Sequence, residues 1–203
     1  TDHLHELIGR NRAEAALDQF DHRNASRMLP FLSINETFHL YWTVPEMDAL
    51  AFASGSEAQQ RDYLNTVLEP LGPVTAFPQA NASILVDGTW QASPMDVCRA
   101  MAKMRQFPDT SDAFELIDNA YGSSEGVWAA RRNWERVWFK GGSLADGQGL
   151  TVLTLGWLLE SDDRGAYVVV GMANQDYTTG VRIDNGAFVS TMSRMLDLVN
   201  EAF

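Results

Sequence analysis

Residues 150–159 constrain the fold more than any other part of the chain. Leu150, Val152, Leu153, Leu155, Trp157, Leu158 and Leu159 are separated only by threonine and glycine, and no charge interrupts them. So short and so uniformly apolar a run, bounded by turn residues, is a central strand covered on both faces. Before it, Asp146-Gly147 and Gly149 signal a hairpin. After it, Ser161-Asp162-Asp163-Arg164-Gly165 signals a second turn. Arg136-Val137-Trp138-Phe139-Lys140 alternates as a strand with one wetter face, and residues 166–173 supply a third strand. Three strands joined by tight turns make an antiparallel meander. Asp184 or Asn185 caps a last helix. Its apolar face is read as Phe188, Met192, Met195, Val199 and Phe203, packed on the sheet.

The chain before residue 127 has a different period. Leu4, Leu7 and Ile8, then Ala13, Ala16, Leu17 and Phe20, recur at helical spacing, with Gly9 as a break between two helices. Ser33-Ile34-Asn35-Glu36 is a capping box that opens a helix through Phe38 and Trp42. Residues 57–68 form a helix whose stripe is Tyr63, Leu64, Val67 and Leu68. Residues 70–88 hold three prolines, two glycines and no period, the mark of a long loop. Ser93-Pro94 opens a helix with apolar Val97, Cys98, Met101 and Met104, and residues 112–121 form another. The sequence therefore predicts an α+β fold in two parts. Residues 1–126 are mainly helical and include the irregular segment 70–93. Residues 127–203 hold the strands and the last helix. A sheet of three strands leaves two edges open, which something must cover or extend.

Charge narrows the function. A net charge of -12 repels phosphate backbones and anionic lipid, which argues against nucleic acid as a partner. No apolar run approaches the roughly 20 residues of a membrane span. The start of the chain enters a helix at once, carries no signal-peptide pattern and reads as the interior of a domain. The single cysteine, Cys98, forms no intrachain disulfide and is read as a buried, inert thiol. His3 and His5 point to different faces of a helix, and no metal site is expected.

Several landmarks, in order, resemble one family. Trp138-Phe139-Lys140-Gly141-Gly142-Ser143, then a turn and Leu153-Thr154-Leu155-Gly156-Trp157-Leu158-Leu159, resembles the Lys-Thr-Gly strand and the following strand of class A β-lactamase-like serine hydrolases. Ala166-Tyr167-Val168-Val169-Val170-Gly171-Met172-Ala173-Asn174 resembles their last strand. Residues 1–17 look like the helix after the family's Ser-Asp-Asn motif, residues 29–38 like its next helix start, and residues 90–96 like the segment leaving its Ω-loop. The resemblance implies a bacterial β-lactamase/transpeptidase-like fold, of the penicillin-binding type, with three of the family's five strands present in this chain. It implies acyl transfer through an acyl-enzyme, without a cofactor. The substrate class is a small acyl compound: a lactam, an ester or a peptide. On that match Lys140 supplies positive charge and assists proton transfer, and Gly141 and Gly142 let substrate approach the strand. The backbone N–H of Ser143 is an oxyanion donor and its hydroxyl contacts a substrate carboxylate.

The chain departs from the family at the nucleophile. No serine is followed by lysine at the third position, the Ser-Asp-Asn motif is absent, and residues 70–88 hold no Glu-x-x-Leu-Asn. Gly141 stands where the family has threonine or serine. The expectation is a fragment of a serine hydrolase, an esterase or weak β-lactamase, inactive by itself. Its nucleophile would lie on a missing amino-terminal segment or on a second chain. The other reading is a non-catalytic binding or structural module of the same fold. The compartment stays open; an exported bacterial protein fits the resemblance.

Blander readings stand beside these. Lys140 can be a solvated strand-end lysine, and Gly141-Gly142 a bulge before a turn. Trp134, Trp138 and Trp157 can be core residues rather than a sugar-stacking platform. Asp162-Asp163 reads as a turn rather than a calcium site. Asn24-Ala25-Ser26, Asn35-Glu36-Thr37 and Asn81-Ala82-Ser83 match the glycosylation acceptor pattern. Thr1 as an amino-terminal nucleophile is disfavoured by its place at a helix.

Overall fold

A computed structural model describes residues 2–202 except 78, 79, 86, 132, 133, 147, 148, 177 and 178; the side chains of residues 82 and 83 are also outside the description. The chain forms two units, Thr1–Ala92 with Asp146–Gln148, and Ser93–Ala145 with Gly149–Phe203. The predicted hairpin turn at Gly147 and the predicted apolar contact of Phe203 lie outside the described residues. No helix among those described is long and apolar enough to cross a membrane.

The first unit is helical. Helices α1 (Asp2–Ile8) and α2 (Arg10–Gln19) break at Gly9, whose φ of 77° favours a residue without Cβ. Helix α3 (Ile34–Phe38) starts as predicted: Ser33 Oγ accepts from the Glu36 amide, and Glu36 Oε2 accepts from the Ser33 amide at 2.7 Å. It runs into a π turn, His39–Thr43, and α5 (Glu57–Tyr63) likewise runs into Leu64–Leu68. Between them lies α4 (Glu46–Ser54). Leu40, Tyr41, Phe52, Leu64, Leu68 and Ile84 form the core.

The loop after α5 is tied to α3 by side chains. Asn35 donates to the Gly72 carbonyl and accepts from the Val74 amide, each at 2.9 Å. Buried His39 bonds the Gly72 carbonyl through Nε2 at 2.7 Å and the Thr43 hydroxyl through Nδ1 at 2.6 Å. Asn81, also buried, donates to the carbonyls of Leu40 and Val44. Backbone groups at Gly72 and Val74 are thus met by side chains from α3 and the turn after it, and Asn81 in return meets carbonyls of that turn and of Val44.

In the second unit, β1 (Arg136–Ala145), β2 (Leu150–Ser161) and β3 (Gly165–Asn174) form an antiparallel sheet in the order β1-β2-β3, the predicted meander. No residue of β2 is exposed, which agrees with a central strand covered on both faces. Alternate residues face opposite ways. Val137, Phe139, Leu155, Trp157, Leu159, Tyr167 and Val169 pack against Met192 and Leu196 of α8 (Asn185–Ala202). Trp138, Leu158 and Val168 pack against Met101 of α6 (Pro94–Arg105) and Phe114 of α7 (Asp112–Tyr121). Helices α6 and α7, grouped by sequence with the helical part, thus cover one face of the sheet.

Two expectations need correction. Met195 is 41% exposed and Leu196 is fully buried, so the packed stripe of α8 is Phe188, Met192, Leu196 and Val199. Gly171 explains the register: a Cβ there would come within 2.3 Å of Met192 Sδ, so α8 approaches the strand backbone directly. The glycine pair at 141 and 142 is not a bulge either. Both residues stay in regular register with β2, and the irregularity falls later, between Leu144 and Ala145.

The three tryptophans are core residues. Trp138 and Trp157 are fully buried and Trp134 nearly so. Their indole N–H groups donate to Asp118, the Glu125 carbonyl and Asn200 respectively, so these three residues form no open aromatic platform.

Candidate functional site

The residues singled out by sequence lie together on β1, at one edge of the sheet. Lys140 pairs with Gly156, Gly141 with Leu155, Gly142 with Thr154 and Ser143 with Leu153. Val137 and Trp138 anchor the start of the strand in the two cores, and burial then falls away: Lys140, Gly142 and Ser143 are exposed and Gly141 is half-buried. Strand alternation puts Lys140 and Gly142 on the face of Trp138, and Gly141 and Ser143 on the face of Phe139.

The two glycines sit in different surroundings. A Cβ on Gly141 would stand 3.0 Å from Phe139 Cζ and 3.4 Å from Leu155 Cδ2. A Cβ on Gly142 would meet nothing within 4 Å. A side chain at 141 would press on the Phe139 ring, which would have to give by a few tenths of an ångström, while the space beside 142 is open. The Lys140 ammonium donates to the Gly141 carbonyl. Among the described residues no carboxylate pairs with it, so its charge is directed to solvent. No hydroxyl or thiol nucleophile among the described residues hydrogen-bonds Lys140. This segment supplies a cation, an open strand edge and backbone amides, and by itself no nucleophile.

Sequence reading missed a second feature of this unit. Arg105 Nε and Nη2 hold Glu160 at 2.7 and 2.6 Å, and Arg136 Nη1 holds it at 2.5 Å. Arg136 also reaches Asp118, and both guanidinium groups flank the Phe114 ring at 5.1 and 4.9 Å. The hydrogen bonds from Arg105 hold the Glu160 carboxyl below the usual carboxylate range. The cluster borders a polar cavity of about 550 Å³. Its cations are met by its own carboxylates, so it ties α6 and α7 to the sheet. No spacing rule links residues 105, 136 and 160; their meeting follows from the strand register.

Cys98 is half-buried, and burial pushes its thiol up, away from the reactive thiolate. Among the described residues no group of three or more histidine, cysteine, aspartate or glutamate side chains converges as a metal site. No protein-family model matches the sequence, and no curated protein matches it either.

Proposed function

We propose that this chain is part of a serine-dependent acyl hydrolase of the β-lactamase-like kind, an esterase or weak β-lactamase whose nucleophile lies outside the sequence. The observation that carries the reading is the edge segment Lys140-Gly141-Gly142-Ser143, with its exposed, carboxylate-free ammonium and the open space beside Gly142. A planar acyl group laid along such an edge meets backbone N–H donors and no side chain at position 142. Lys140 attracts the substrate's negative charge and lowers the cost of proton transfer at the nucleophile. The substrate is a small lactam, ester or peptide acyl compound.

A non-catalytic module of the same fold is the second reading. It is favoured by the absence of any serine followed three residues later by lysine. One experiment separates the two. The longest product of the gene is incubated with benzylpenicillin, and the intact mass and peptide map are recorded. The hydrolase reading requires one penicillin adduct on a serine outside residues 1–203, formed much more slowly in Lys140→Ala. A 22.6 kDa species without an adduct sinks it in favour of the module.

A further inference from the structure

Asn185 is the only asparagine in the sequence that is followed by glycine. That order matters because asparagine is a labile residue. A backbone amide nitrogen can close on the side-chain carbonyl carbon of the asparagine before it, and a Cβ on the residue that supplies the nitrogen crowds the approach. Asn185 and Gly186 open α8, and both are exposed. The Gly186 N–H is among the first four amides of the helix, which have no intrahelical partner. Among the described residues nothing else accepts from it, and nothing bonds the Asn185 carboxamide. The other described asparagines lack this combination. Asn35, Asn81 and Asn200 are held through their side chains. Asn11 lies within α2 and Asn119 within α7. Asn24, Asn65 and Asn174 are exposed but precede alanine, threonine and glutamine.

What restrains Asn185 is the helix. Ring closure needs its ψ to leave the helical value, so the first turn has to open. Asp184 holds that turn: its Oδ1 accepts from the Ala187 amide and its carbonyl from the Phe188 amide, each at 2.9 Å. Helix ends are where opening costs least. We propose that Asn185 is a site of spontaneous deamidation, gated by fraying of the first turn of α8. The Gly186 nitrogen gives up its proton and bonds to the Asn185 side-chain carbon; the bond from that carbon to the amide nitrogen breaks, and ammonia leaves with the proton. Water then opens the cyclic imide at one carbonyl or the other, to aspartate or isoaspartate. No electrons are exchanged, and water is the one co-reactant. Isoaspartate adds a methylene to the main chain just before Phe188, whose ring would lie 3.1 Å from a Cβ at Gly171. The modification therefore acts on the seat of α8 against β3. It uses no acyl-enzyme chemistry, so it stands or falls separately from the hydrolase reading.

The test is slow ageing of the intact 203-residue chain at mildly alkaline pH, sampled by peptide mapping and an isoaspartate methyltransferase assay. The peptide holding Asn185 should gain about 1 Da before any other asparagine peptide does. Gly186→Ala should slow the conversion to the rate of the other exposed asparagines. Asp184→Ala, which removes the cap, should speed it about fivefold by favouring the open turn. Conversion of another asparagine ahead of Asn185, or a rate at Asn185 that Gly186→Ala leaves unchanged, would overturn the proposal. A rate that Asp184→Ala leaves unchanged would overturn the gating by the first turn.

Discussion

Replacing Glu160 by glutamine tests how the second unit is held together. The substitution keeps the shape and removes the charge that three guanidinium N–H groups share. A hydrogen bond to a charged group contributes about 1.5–3 kcal/mol, but the three are not additive. Glutamine keeps one acceptor, Arg105 retains Asp109, Arg136 retains Asp118, and the side chain is 19% exposed. The expected loss is therefore about 2 kcal/mol, or about 4–8 °C in Tm for a chain of this size. Denaturation followed by tryptophan fluorescence reads it, because Trp134, Trp138 and Trp157 all lie in this unit. The pH dependence has a fixed sign. The folded-state pKa of Glu160 is lowered, so its contribution is present in full above the unfolded value, near 4.3, and is lost as pH falls through the folded one. The difference between wild type and Glu160→Gln should be full at pH 7 and should shrink towards pH 3. A loss under about 0.5 kcal/mol at pH 7, or one that does not shrink in acid, would refute the reasoning.

Three further outcomes follow from packing and exposure. Gly171→Ala forces a methyl group against Met192 and Phe188 and should cost about 1–3 kcal/mol in urea denaturation; Met192→Ala in the same chain should recover part of that cost. Among the glycosylation triplets, Asn24 is exposed, Asn35 is engaged through both side-chain atoms and Asn81 is buried. Secretion from a eukaryotic host should therefore add at most a single glycan, at Asn24, as read by glycosidase treatment and peptide mapping. Cys98 should react with iodoacetamide at pH 8 more slowly than free glutathione does, and an equal rate would contradict the burial that raises its pKa.

Local signals carried most of the architecture. The capping boxes at Ser33/Glu36 and Ser93/Asp96 are written within four residues, and both helices start where those residues place them. The uninterrupted run at 150–159 made β2 central, and the turns beside it fixed the strand order. Helical phase was less secure. Met195 and Leu196 are both apolar neighbours, and which of them faces the sheet depends on how Met192 seats against Gly171. The π turns at His39–Thr43 and Leu64–Leu68 shift phase by one residue and leave no mark in composition. For the candidate site, the edge position of Lys140 followed from the meander. The close approach of Phe139 to position 141 and the open space beside 142 are tertiary and were not legible.

The ties between α3 and the following irregular segment have a consequence for inheritance. The segment contributes mostly peptide groups to those ties, the Gly72 carbonyl and the Val74 amide, whereas Asn35 and His39 contribute side chains. Any residue offers a peptide group, but few offer an amide or imidazole at the right reach. Mutations at positions such as Val74 can therefore leave the path unchanged, whereas a change at Asn35 or His39, more than thirty residues upstream of Gly72, or at Asn81 within the segment, removes side-chain ties that hold it. The instructions for that path are shared between the helix end and one buried asparagine of the segment.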